Sequence, residues 1–286
     1  MALNVTLKVV IVTGAGSGIN YSFAKLLLEN KCNVILADLA LRPEAAELVS
    51  SYSDGNTTPR AIFMLIDVTN WKQLEEMFEM AGKEFGHADI ICPRAGVFEP
   101  PTSNFWIPPG TGSSSDLPQN HYASFDINLS HPIRCTQLAI SHFIKHKTPG
   151  SIVLISSVAS QFPYIGCPLD TASKHAISGF VRSLAALEQP PNSNVPPIRV
   201  SAVAPVKKIQ WLNSEKDQWV TLEEVADVML SLIRTDNYKG GKNKARKVEE
   251  LKDPGPQGDG LTLSAGAKGV EEIRTRLSDP SWGQYT

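Results

Sequence analysis

Long apolar runs are missing from this chain. None approaches the roughly 18 residues that a membrane-spanning helix needs, so no such helix and no membrane partner are expected. Met1 to Lys8 carries no basic segment followed by an apolar stretch, which predicts no signal peptide and a cytoplasmic location. Cysteine is scarce: Cys32, Cys92, Cys135 and Cys167 stand far apart with no CxxC pair, which excludes a disulfide scaffold and predicts reduced, structural thiols. Charge of one sign is missing too. Lys and Arg number 27 against 29 Asp and Glu, a formal net charge of -2, so no global field recruits nucleic acid. His142 and His146 lie one helical turn apart without an HExxH frame or third ligand, so no metal site is expected. No internal repeat is present. What remains, 42% hydrophobic and 20% charged, is ordinary for a globular protein and argues against wholesale disorder.

Short β-branched runs alternate with longer amphipathic segments from residue 8 onward. Strands are expected at Val9–Val12, Asn33–Ala37, Ala61–Ile66, Asp89–Cys92, Ser151–Ile155 and Ile198–Val203. Helices are expected through Ala24–Glu29, over Trp71–Phe85, Ala123–His146 and Thr171–Leu187, and from Thr221, where Thr221 and Glu224 form a capping box. Strands apolar on both faces, separated by helices, predict an α/β fold with a doubly wound parallel sheet covered on both sides. One domain spans residues 5–235. Residues 97–120 hold five prolines, two glycines and Ser113–Ser115, too long and punctuated for a routine connection. Residues 236–286 read as a C-terminal extension with an edge strand at Leu261–Leu263 and a short helix near Val270–Leu277. The Lys239–Lys247 cluster reads as a solvated loop.

Thr13-Gly14-Ala15-Gly16-Ser17-Gly18-Ile19-Asn20 falls between the first strand and the first helix. Glycines there let the backbone approach a pyrophosphate, and the helix N-terminus behind offers free N–H groups and a positive dipole end. Asp38 ends the second strand twenty residues past Gly18, where a carboxylate accepts the ribose hydroxyls of NAD(H). Arg42, four residues on, offers charge to the 2′-phosphate of NADP(H), so both cofactors stay open.

On these residues the sequence resembles the short-chain dehydrogenase/reductase family over nearly its whole length. Thr13–Asn20 is similar to that family's TGxxxGxG turn, with Asn20 in place of the third glycine; an asparagine at a helix start can cap the turn. Asp67-Val68 resembles the pair that contacts adenine, Asn128 the asparagine of the catalytic tetrad, and Ile155-Ser156-Ser157 the serine strand. Ala172-Ser173-Lys174 closes what should be YxASK. The resemblance implies a Rossmann-like sheet of about seven strands, NAD(H) or NADP(H) as cofactor, and a homo-oligomer, dimer or tetramer. Three departures stand out. The family's NNAG segment reads Pro93-Arg94-Ala95-Gly96, with Arg94, Ala95 and Gly96 left to face the cofactor, and the Pro-Gly after the sixth strand reads Pro205-Val206. The tyrosine four before Lys174 is Asp170, thirteen residues after Ser157, so the alignment is not slipped. Tyr164 lies in the preceding loop, ten residues before the lysine.

The third departure changes the chemistry. Reducing a ketone leaves charge on oxygen and needs a proton donor; an ionised carboxylate is a poor donor and repels an alkoxide. A cationic iminium reverses the sign, because it needs no proton and is attracted to a carboxylate. In this respect the sequence resembles the bifunctional iminium reductases/Diels–Alderases of fungal prenylated indole alkaloid pathways, in which an aspartate stands at the tyrosine position. That resemblance implies reduction of a cyclic iminium by NAD(P)H, then a stereocontrolled [4+2] cyclisation of a bulky prenylated indole diketopiperazine-type substrate. It gives Asp170 the substrate cation, Lys174 the nicotinamide ribose and Ser157 a substrate carbonyl. Arg134, six residues past Asn128, either contributes charge or lies on the surface. Phe98, Phe105 and Trp106 of the 97–120 loop are expected to wall an apolar pocket, with Trp211 and Trp219 in the region that covers substrate. An ordinary alcohol/ketone oxidoreductase with Asp170 in the tyrosine's place, and a cofactor-binding pseudoenzyme, remain as alternatives.

Overall fold

The computed structural model describes residues 1–55, 58–116, 121–161, 163–190, 195–205 and 220–237, together with the backbone of 243–245 and 249–250. Six parallel strands form the body of one sheet: β1 (Val9–Thr13), β2 (Asn33–Asp38), β3 (Ala61–Leu65), β4 (Ile90–Cys92), β5 (Gly150–Ile155) and β6 (Ile198–Val203). Their order is β3-β2-β1-β4-β5-β6, six of the sheet's eight strands, where about seven strands were anticipated. At the β6 edge two short segments continue it, β7 (Asn243–Ala245) parallel to β6 and β8 (Glu249–Glu250) antiparallel to β7. The strand expected at 261–263 and the helix at 270–277 lie outside the described residues, as do Trp211 and Trp219.

Strand side chains alternate between two cores, as a period of two requires. Val10, Val12, Val34 and Leu36 join one cluster with α1 (Gly18–Glu29) and α7 (Leu222–Arg234). Ile11, Ile35, Ile152 and Leu154 join the other with α3 (Trp71–Phe85), α5 (His131–His146) and α6 (Pro168–Ser183). Both faces are therefore dry, which is why the strands read as unbroken apolar runs. Each buried Val, Ile or Leu contributes about 1.5–3 kcal/mol.

Helix ends follow local chemistry. Asn70 caps α3 by accepting from Lys72 N and Gln73 N, and the Thr221–Glu224 capping box closes the start of α7. Two elements differ from expectation. A helix at α2 (Pro43–Ser51), with proline at its first position, was not anticipated; only Ala45 and Leu48 are buried, too few to print a periodic pattern. The single helix expected at 123–146 is a short α4 (Ala123–Phe125), a π-turn over Asp126–Ser130 and then α5. That wider turn carries Asn128, and such turns re-aim side chains at functional sites.

The strand order reverses between β1 and β4, so the connections leaving their carboxyl ends diverge and open a crevice. The glycine turn follows β1, residues 93–98 follow β4, and Ser156-Ser157 follow β5. All three meet at this crevice.

Candidate active site

One cavity of about 730 Å3 runs along the carboxyl ends of the strands, from Asp38 to Asp170. At its first end the turn after β1 is held by Gly14 N donating to Ala37 O (2.7 Å) and Gly16 N donating to Asp38 Oδ2 (2.8 Å). Gly14 takes a φ of +70°, and a Cβ there would meet Ala95 Cα at 2.7 Å, so a side chain is excluded on both counts. Gly18, at φ +60°, has nothing within 4 Å of where a Cβ would stand, and it lines the cavity. Ser17 caps α1 in an extended conformation without a side-chain cap bond, and no acid sits in the first turn. The helix thus presents unused N–H donors and a positive dipole end to the cavity, a fit for pyrophosphate. Asp38, Asp67 and Val68 line the same end, where adenosine would lie.

Asn20 does not cap α1. It lies within the helix, 9% exposed, and its Nδ2 donates to Thr13 O (3.3 Å) and Arg94 O (3.1 Å), tying the ends of β1 and β4 together. An amide that spans two carbonyls does here what a glycine cannot. Thr13 does not line the cavity; its Oγ1 accepts from Arg94 N (2.7 Å) and Ala95 N (3.0 Å) and bonds His131 Nε2 (3.2 Å). His131 Nδ1 lies 3.1 Å from Ile127 O, so Nδ1 carries the proton and Nε2 accepts from the threonine hydroxyl. Burial pushes this imidazole down to about 4. Ala95 and Gly96 line the cavity, as does Arg94, whose guanidinium packs on Met229 Sδ. Burial lowers that guanidinium to about 10.

At the other end, Ser157, Asp170 and Lys174 line the cavity together, with Asp170 5% and Lys174 8% exposed. Ser157 Oγ accepts from Ala159 N (3.1 Å), and Ser156 Oγ fixes α6 by donating to Lys174 O (3.1 Å). Asn128 stands behind them: its Oδ1 accepts from Val97 N and its Nδ2 donates to Val97 O, both at 2.8 Å, and Nδ2 reaches Asp170 Oδ1 at 3.5 Å. Phe98, Tyr164, Cys167 and Pro205 complete the wall. Asp170 falls in the first turn of α6, where the dipole favours its negative charge.

Several expected site residues lie elsewhere. Arg134 donates to Glu75 Oε1 (2.7 Å) and Gln137 Oε1 (2.6 Å) and lies over the Trp71 ring, so it braces α5 on α3 and does not line the cavity. Arg42 is exposed; its backbone N–H donates to Gly16 O (3.1 Å), and its side chain is not part of the lining. Of the three loop aromatics only Phe98 faces the cavity; Trp106 Nε1 donates to Ile165 O (2.7 Å) and Phe105 stands edge-on to Trp106. His142 accepts from Ala88 N (3.0 Å) and serves the turn before β4. Among the described residues no group of three or more His, Cys, Asp or Glu could hold a metal ion, and no helix is long and apolar enough to cross a membrane.

The short chain dehydrogenase family model matches residues 8–208, the whole sheet from β1 to β6. The chain belongs to the short-chain dehydrogenase/reductase family. It is 29% identical to short-chain dehydrogenase reductase 3a of Arabidopsis thaliana, over 85% of each chain. To human 15-hydroxyprostaglandin dehydrogenase [NAD(+)] it is 32% identical, over 71% of this chain and 69% of that one. The short-chain dehydrogenase/reductase prx4 of Penicillium roqueforti is 28% identical over 71% of this chain and 55% of its own length.

Enzymes of this family use NAD(P)(H), and the glycine turn, the open face at Gly18 and Asp38 fit such a group. Two residues that order this short-chain dehydrogenase/reductase site escaped the sequence reading: His131, which aims Thr13, and Glu99, whose carboxylate accepts from Asp170 N (2.9 Å). Neither belongs to a motif. The one signal was a histidine followed by proline inside a helix register otherwise occupied by apolar residues.

Proposed function

We propose that this short-chain dehydrogenase/reductase reduces a cationic cyclic iminium with NAD(P)H, on a bulky prenylated indole diketopiperazine-type substrate of fungal indole alkaloid biosynthesis. Intramolecular [4+2] cyclisation follows in the same cavity. The observation that carries this reading is a buried carboxylate, Asp170, lining the cavity beside Ser157 and Lys174 where the family holds a phenol. NAD(P)H, when bound, supplies a hydride to the iminium carbon. The C=N π pair moves onto nitrogen, the cation becomes a neutral amine, and no proton is consumed. Asp170 opposes the positive charge of the substrate. At about 4 Å and an effective dielectric near 20 the attraction is of order 4 kcal/mol before desolvation. Lys174 holds the nicotinamide ribose, Ser157 hydrogen-bonds a substrate carbonyl, and Asn128 keeps the backbone at Val97 in place. The cycloaddition gains and loses no atoms, so the protein's part is to enclose diene and alkene in one relative orientation. Phe98, Val97, Pro163 and Tyr164 supply the apolar wall for that purpose.

Oxidation of NADPH and NADH is to be followed with a prenylated indole cyclic iminium and a panel of simple ketones. Turnover of the iminium alone, giving one enantiomer of a bridged product, is the expected result. Turnover of ketones instead makes Asp170 a tolerated replacement in an ordinary oxidoreductase. Silence on both, with cofactor bound, leaves a binding protein.

A further inference from the structure

Helix α6, which carries Asp170 and Lys174, starts without a cap of its own. Cys167 at the N-cap makes no side-chain cap bond, and Pro168 at the first position has no N–H. The first donors that need a partner are therefore Leu169 N and Asp170 N. The second is met from outside the helix by a carboxylate. Glu99 Oε1 accepts from Asp170 N at 2.9 Å. Its Oε2 accepts from Phe105 N at 3.2 Å, within its own loop.

The arrangement is maintained against two penalties. Glu99 holds a φ of +31°, a left-handed conformation uncommon for a residue with a side chain and one that persists only where surrounding contacts over-determine it. The residue is 7% exposed and its carboxyl stands beside a second buried carboxylate; burial, partly offset by backbone N–H donors, and the Asp170 charge push it above its ordinary value. A surface loop that needed only to cover the sheet would place neither a buried acid nor a left-handed glutamate here. The carbonyl of Glu99 accepts from Asn104 Nδ2 (2.9 Å), so the acid also folds its loop around itself.

We propose that Glu99 is a positioning residue: its carboxylate caps α6 from the 97–116 loop, fixes the turn that presents Asp170, and latches that loop over the substrate end of the cavity. Glu99 does not line the cavity and acts through Asp170. Its effect on turnover rests on the proposed reading of Asp170; the latch itself does not. Trp106 to Ile165 O, and Ser124 N to Ser103 Oγ (3.0 Å), attach the loop independently, so loss of Glu99 loosens one end and leaves the fold standing.

The test compares wild type, Glu99→Ala and Glu99→Gln, the last keeping one acceptor and losing the charge. Amide hydrogen exchange is read in the segments 98–107 and 166–172, with NADH affinity and the kinetics of cyclic iminium reduction alongside. In Glu99→Ala exchange should rise at least tenfold in both segments and stay unchanged over residues 9–29. NADH affinity should hold within about threefold, and KM for the iminium should rise about tenfold with kcat within about threefold; Glu99→Gln should fall between. Unchanged exchange in both segments overturns the latch. Raised exchange with unchanged KM reduces Glu99 to a helix cap and overturns the positioning role. Exchange raised throughout the chain makes the residue a general stability element, which also overturns it. If the wild-type enzyme does not reduce the iminium, the proposed function fails, and the exchange measurement alone decides the latch.

Discussion

Asp170 and Asp38 line the cavity at opposite ends, and the proposed function gives each carboxylate a separate task. If Asp170 is the counter-charge of an iminium, Asp170→Ala should lower kcat/KM for that substrate at least 100-fold, a loss of about 2.7 kcal/mol in transition-state stabilisation. NADH affinity should stay within a few fold, because the residue is remote from the adenosine end. Retained turnover removes Asp170 from the mechanism. At the other end, Asp38 Oδ2 accepts from Gly16 N and Oδ1 from Leu39 N (2.7 Å), so two backbone donors fix its carboxylate, which the proposed function assigns to the cofactor ribose. A hydrogen bond to a charged acceptor contributes about 1.5–3 kcal/mol. Asp38→Asn should therefore lower kcat/KM with NADH by roughly 10-fold or more and move preference toward NADPH, whose 2′-phosphate no longer meets a like charge. Steady-state kinetics with both cofactors decide it, and an unchanged NADH/NADPH ratio places selectivity elsewhere. Asp170 was legible in sequence because spacing from Ser157 and Lys174 pins its position on the helix. Glu99 was not, since a lone acid in a proline-rich loop looks like any solvated charge.

The junction of α5 with β1 and β4 makes a stability-against-pH prediction. His131 is fully buried, its Nδ1 proton is used on Ile127 O, and Thr13 Oγ1 already accepts two backbone N–H groups. A second proton on Nε2 would face a donor, so the folded state resists it, and burial holds the group at about 4 against 6.5 when exposed. Between those values the unfolded chain binds a proton that the native state does not, so stability is present above about pH 6.5 and is lost as pH falls toward 4. The cost is about 2 kcal/mol at about pH 5. Denaturant melts at about pH 7 and pH 5 should show that drop in wild type and a flatter dependence in His131→Asn; equal slopes would assign the acid sensitivity to other groups. His142, also pushed down to about 4 but half-buried, adds a smaller effect in the same window. Beyond a histidine before a proline in an apolar helix register, nothing in the sequence marked this junction. Amphipathic spacing located α5 and apolar runs located β1 and β4, but the π-turn over 126–130 that brings His131 under Thr13 is a tertiary compromise. The same holds for Asn20, whose position suggested a cap and whose amide instead spans two strands.

For the molecule as a whole, the far side of the sheet from the cavity depends on one buried cation. Arg199, near the start of β6, is 1% exposed. Its Nε donates to Glu188 Oε1 (2.7 Å), its Nη1 to Leu232 O (3.1 Å) and Thr235 O (2.6 Å), and its Nη2 to Asp236 Oδ1 (2.9 Å). A single side chain thus joins the last core strand, the 3-10 turn at Ala185–Glu188 after α6, and the end of α7, where it meets Leu232 O and Thr235 O while Leu3 N donates to Ile233 O (2.9 Å). Removing one partner of a buried pair costs about 3–5 kcal/mol, because the remaining groups stay desolvated. The ammonium of Met1 also reaches Glu188 and Asp236, which sets the expectation for Arg199→Ala at the lower end, about 3 kcal/mol. For a domain of this size that is a fall in Tm of roughly 6–12 °C. Arg199→Lys should recover little of it, since an ammonium cannot reach three directions in the plane of a guanidinium. The residue lies at the opposite end of β6 from Val203 and Pro205, so cofactor affinity at a temperature where both variants are folded should be unchanged. A Tm within 2 °C of wild type would mean that apolar packing of α7, not this polar knot, holds the end of the sheet together. A loss of cofactor affinity without a loss of stability would mean that strain introduced at one end of β6 reaches the crevice at the other.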